Sequence, residues 1–114
     1  MRHALFTILF ALAAVACASS GVPADRVASS QASIRAAKEM GAQDVPAAAL
    51  HLQLANEQMA VAGKMIEDGH PDRAKYVLMR AEADAELALA LAREDTERDE
   101  AQKAVAKVRS LQMQ

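Results

Sequence analysis

The chain has 114 residues, of which 53% are hydrophobic, 25% charged and 3% aromatic, which leaves room for one small domain and excludes a large multidomain enzyme. Alanine fills 28 positions while Trp is absent, Tyr occurs once and Phe twice; that is a helix-forming composition. The 13 basic and 15 acidic residues give a net charge of -2 and are spread along the chain, so neither a basic patch for nucleic acid nor an acidic tail stands out.

Arg2 and His3 precede Ala4 to Ala16, a run of 13 residues in which only Thr7 is polar. A basic start before such a run is the pattern of a signal peptide, and the run is too short to anchor in a bilayer, which takes about 20 apolar residues. It leads through Ala13, Ala14, Val15 and Ala16 to Cys17, the sole cysteine, and on to Ala18-Ser19-Ser20-Gly21. These residues resemble the box of bacterial lipoproteins, in which the thiol receives a lipid and the chain is cut before the cysteine. The position three places before it is usually Leu and is Ala14 here. The resemblance implies a signal over 1–16, a lipid on Cys17 and, with Ala18 rather than Asp after the cysteine, the outer membrane. Ala16-Cys17-Ala18 also fits the small-x-small rule of ordinary signal peptidase, which would cut after Ala18 and release a soluble chain. Residues 17–25, with two serines, a glycine and a proline, read as a tether.

The domain proper is expected over residues 26–114. A first helix from about Asp25 to Met40 has Asp25 to cap its start and Gly41 to end it. Its apolar side comprises Val27, Ile34, Ala37 and Met40, weakened by Ser29, Ser30 and Ser33. After a break over Gly41–Val45, with Asp44 ahead of Pro46, a second helix runs from about Pro46 to Glu67. Along it Ala48, Leu52, Ala55, Met59, Ala62 and Ile66 repeat in alternating steps of about four and three residues, a coiled-coil-like seam. Asp68-Gly69-His70-Pro71-Asp72 is a turn, since glycine ends one helix and proline starts the next.

The third helix carries Ala74, Leu78, Ala81, Ala85, Ala88 and Ala92 in the same rhythm, so helices 2 and 3 form an antiparallel hairpin with closely approaching backbones. No stop signal follows Pro71 until the last residues. Opposite the Gly41–Val45 break falls the charged run Arg93 to Glu100, read as a solvated segment with pairs Arg93–Glu97, Glu94–Arg98 and Asp99–Lys103. The apolar stripe then returns as Ala101, Ala104, Val108 and Leu111, expected opposite helix 1. The fold class is therefore all-α, a long antiparallel hairpin in which helices 1 and 2 lie end to end along helix 3. A three-helix bundle is the alternative.

From Gly41 to about Ala92 the chain resembles small bacterial lipoproteins of the domain-of-unknown-function 4398 family. The resemblance rests on Gly41-Ala42 ahead of Pro46, the helix through Ala55 and Ala62, the Gly69 turn, and the Ala74, Ala81, Ala85, Ala88, Ala92 ladder with Asp84 and Glu86. It implies an exported, often lipid-anchored helical hairpin and assigns no reaction. His70-Pro71-Asp72 stands where the family commonly has an acidic residue and an aromatic. The hairpin is also similar to one tetratricopeptide unit, but a single unit forms no peptide-binding groove.

The chemistry-bearing residues are sparse. His51 and His70 lie far apart, no HExxH, CxxC or Cys/His spacing occurs, and no glycine-rich phosphate loop is present, so no metal site, cofactor or small-molecule substrate is expected. No serine has a histidine nearby in sequence to act as its base. His51 reads as a polar position beside the seam, and Glu82, Asp84 and Glu86 as a solvated face. Tyr76, one turn after Pro71, reads first as a cover for the end of the hairpin and second as a partner anchor. Met79 and the other methionines read as core filler. Leu54, Leu87 and Leu91 are candidates for burial in a dimer, and Tyr76, Leu87 and Leu91 for contact with a partner. The expected function is non-catalytic: an envelope lipoprotein that holds the membrane through its lipid, projects a scaffold rod into the periplasm and meets an envelope protein or a second copy. The alternative is a soluble periplasmic binding module or chaperone-like hairpin.

Overall fold

The computed structural model describes residues 24–114; the expected signal, Cys17 and residues 17–23 of the tether lie outside them. Three α-helices follow one another: α1 (Ala24–Glu39), α2 (Pro46–Glu67) and α3 (Pro71–Gln112), with a short 3-10 turn over Ala42–Asp44. At about 1.5 Å per residue α3 is about 63 Å long, α2 about 33 Å and α1 about 24 Å. Among the described residues no helix is long and apolar enough to cross a membrane.

Local chemistry accounts for the boundaries. Gly41 adopts φ +82° after α1, and the 3-10 turn closes with the Asp44 N–H donating to the Gly41 carbonyl at 2.9 Å. Val45, extended at φ -104°, is the N-cap of α2 and Pro46 its first residue; among the described residues no side chain caps it. At the other end the N–H groups of Gly69 and His70 donate to the carbonyls of Ile66 and Met65 at 3.1 and 2.7 Å. With Gly69 at φ +80°, this is the Schellman arrangement that satisfies orphan helix carbonyls. Pro71, needing no N–H partner, then opens α3.

Helices α2 and α3 form the expected antiparallel hairpin. Ala48, Leu52, Ala55 and Ala62 are buried against Ala74, Leu78, Ala81, Ala85, Ala88 and Ala92. Of the other two predicted seam positions, Met59 is half-buried against the core, whereas Ile66 is exposed at the end of α2. Alanine brings the backbones together but fills little volume, so the larger buried side chains Ile34, Leu52 and Leu78 carry much of the apolar stabilisation, about 1.5 to 3 kcal/mol each.

Helix α1 also lies along α3, but its position corrects the end-to-end expectation. The buried Ser30 hydroxyl lies 3.1 Å from the Leu78 carbonyl, and Ala37 joins the cluster of Ala85 and Ala88. The turn at Gly41 thus reverses the chain, and α1 runs parallel to α3 and antiparallel to α2 over the same half of α3. There the small side chains of the α2–α3 seam leave a groove that Ser30, Ile34 and Ala37 fit. Farther along α3 a docking helix would meet the charged run instead. Consequently Ala101, Ala104, Val108 and Leu111 are not covered by α1; every residue from Thr96 onward is exposed. The molecule is an elongated three-helix body from which the last turns of α3 project.

Candidate functional site

Two carboxylates flank the alanine seam of α3, and each fastens one neighbouring helix. Glu82 immediately follows Ala81 and accepts hydrogen bonds from α1, from Arg26 Nη1 at 3.1 Å and from the Ser29 hydroxyl. Asp84 immediately precedes Ala85 and faces α2. Its Oδ1 lies 2.9 Å from His51 Nδ1, and its Oδ2 accepts from Gln58 Nε2 at 2.7 Å. An ionised carboxylate only accepts, so the imidazole donates at Nδ1. The expectation that Glu82 and Asp84 belong to a solvated face is therefore corrected, while Glu86 is exposed as expected. Their place beside Ala81 and Ala85 was the signal: residues next to a seam are those that reach across it.

Burial by itself would raise the pKa of Asp84. The hydrogen bonds from His51 and Gln58, with the charges of His51 and Arg80, outweigh burial and hold its carboxyl below the ordinary carboxylate value. The Oε1 of Gln58 is buried without a hydrogen-bond partner among the described residues, since the amide is oriented to give its N–H to Asp84. These groups hold helices together, and the arrangement stores a polar seal on each side of an apolar seam.

The surface that offers itself to a partner is the outer side of α3. At about 100° per residue, Tyr76, Met79, Ala83, Leu87 and Ala90 fall opposite the buried seam, and all five are exposed. Tyr76 is 68% exposed, which corrects its reading as a cover for the hairpin end. Met79 is likewise surface rather than core filler. Of the remaining candidates, Leu87 is 43% exposed, whereas Leu91 is half-buried and packed on the core beside Val45, and Leu54 is half-buried. Tyr76 and Leu87 thus share one outward face and Leu91 is largely spent internally. The outer side continues through Glu94 and Glu97 to Ala101, Ala104, Val108 and Leu111, all exposed. Of the expected pairs in the charged run, Glu94–Arg98 is formed, Arg98 Nη2 lying 2.5 Å from Glu94 Oε1. Cys17 lies outside the described residues.

No curated protein and no solved structure matches the chain. Residues 25–109 match the family described as domain of unknown function (DUF4398), which spans α1, α2 and nearly all of α3, and the chain belongs to that family.

Proposed function

We propose that this chain is a non-catalytic scaffold lipoprotein of the bacterial envelope, anchored at the periplasmic face of the outer membrane through Cys17. The observation that carries the reading is the 13-residue apolar run of Ala4 to Ala16 leading directly into the sole cysteine, ahead of a slender, alanine-seamed rod. The polar side chains of the body support the same reading, because Arg26, Ser29, Glu82, His51, Gln58 and Asp84 are engaged in fastening helices. The exposed outer side of α3 supplies a long ridge through which a rod can engage a neighbour.

The deciding measurement is the intact mass of the protein recovered from membrane and soluble fractions of an exporting bacterial host. The expected species is the chain from Cys17 onward plus acyl chains, in the membrane fraction. A lipid-free chain beginning at Ser19 in the soluble fraction would overturn the reading. A shallow groove of about 260 Å³ between α1 and α2, lined by Gln31, Ile34, Arg35, Asn56 and Met59, favours a soluble binding module as the second reading, and that outcome would promote it.

A further inference from the structure

We propose that two copies of the chain pair through the projecting ends of α3, antiparallel, in the register that sets Ala101 of one copy against Ala104 of the other. This deepens the scaffold reading by naming its partner. The projecting segment, from Thr96 onward, is exposed on every side, so a second helix can lie along it and reach the three-helix body only with its tip. Its apolar side chains gather on one side: Ala101, Ala104, Val108 and Leu111, with Val105 adjacent, and Val105, Val108 and Leu111 are about half-exposed.

Charge selects the occupant and its direction. Arg93 to Glu100 carries five acidic and two basic residues, whereas residues 101–114 carry three basic residues, Lys103, Lys107 and Arg109, and no acidic one. A parallel pair would set each block against its own kind. An antiparallel pair sets the acidic block of each copy against the basic block of the other, twice over, by the complementarity that fixes helix orientation. In the stated register Glu97 lies opposite Val108, between Lys107 and Arg109 of the second copy, and Glu94 lies opposite Leu111. Glu97, one of the two glutamates that interrupt the apolar side, is thereby flanked by cations.

The same register delivers an apolar tip to a matching seat. Where the projecting segment leaves the body, Val45, Ala47 and Leu91 line a shallow cleft of about 130 Å³, bordered by Glu94, Asp95 and Arg98. Leu111 and Met113 of the second copy arrive there, and both are well exposed in the single chain, at 58% and 80%.

The test uses the full chain in nonionic detergent, with sedimentation equilibrium for the association state. Glu94→Cys and Leu111→Cys variants are mixed and oxidised, and the joined peptides identified by mass. A concentration-dependent dimer with a 94–111 link between copies is expected, and the charge reversal Lys107→Glu with Arg109→Glu should weaken association by about tenfold or more. Adding Glu94→Lys and Glu97→Lys to that variant should restore it. A monomer at about 100 μM, well above the micromolar range, a 111–111 link, or charge reversal without effect would overturn the pairing. The intact mass decides the anchor separately, so either proposal can fail while the other stands.

Discussion

Ser30 of α1 reaches Leu78 of α3 in the fully buried interior, its hydroxyl oxygen 3.1 Å from the Leu78 carbonyl and 3.0 Å from the Arg26 carbonyl of its own helix. The contact places α1 beside the hairpin rather than beyond it. A serine suits the position because it is small enough for two backbones to approach and can satisfy its hydroxyl on carbonyls already present. Ser30→Leu should therefore force α1 off α3 and destabilise the fold by about 1 to 3 kcal/mol, the range for overpacking. Urea unfolding checks this, and a change within about 0.5 kcal/mol, as at surface sites, would place α1 elsewhere.

Asp84 links α2 to α3 through a carboxylate held below its ordinary value. The unfolded chain, with an Asp value of about 3.9, therefore binds the proton more readily than the folded one. The stability contributed by this group is complete above about pH 4 to 5 and is lost as pH falls through the lower folded value. Asp84→Asn, which cannot ionise, should lower stability at neutral pH and flatten its fall on acidification. Thermal unfolding followed between neutral pH and about pH 2 would reveal the difference in slope, and parallel curves would exclude a role for this carboxylate.

Two glycines should respond in opposite directions to alanine. Gly63 lies inside α2 with none of the described residues within 4 Å of an added Cβ, so Gly63→Ala should stabilise by about 0.5 to 1 kcal/mol and raise Tm by a few degrees. Gly69 is held at φ +80°, where an L side chain costs about 1 to 2 kcal/mol, so Gly69→Ala should lower Tm. Calorimetry of both variants checks the pair.

Leu78 is 1% exposed and Leu50 is 57% exposed, although both are leucines in long helices. Leu78→Ala should cost about 2 to 5 kcal/mol, because it opens a cavity in the cluster that Leu78 forms with Ala62, Ala74, Val27, Met59 and Met65. Leu50→Ala should stay within about 0.5 kcal/mol of the parent chain. Equal costs in urea unfolding would contradict the packing.

Much of the body is legible in the sequence alone. The limits of α2, the start of α3 and the turn between them follow from Pro46, Gly69 and Pro71, and the alanine seam follows from its spacing. The outward turn of the distal stripe was also legible, because Ala92 and Ala101 are separated by about two and a half helical turns, so Ala101 begins on the opposite side. That phase break was masked by the return of apolar residues, which reads as a continuation.

The sequence by itself determined the all-α class, the helix boundaries and the hairpin, because caps, glycine conformations and helical periodicity act over a few neighbouring residues. Only the tertiary structure decided where α1 docks, that Tyr76 faces outward, and that Glu82 and Asp84 each fasten a different helix. Those outcomes depend on contacts such as Ser30 with Leu78 and His51 with Asp84, which join residues 48 and 33 positions apart. Alanine stripes offer little distinctive shape, so their spacing specifies that a helix is covered without specifying which helix covers it.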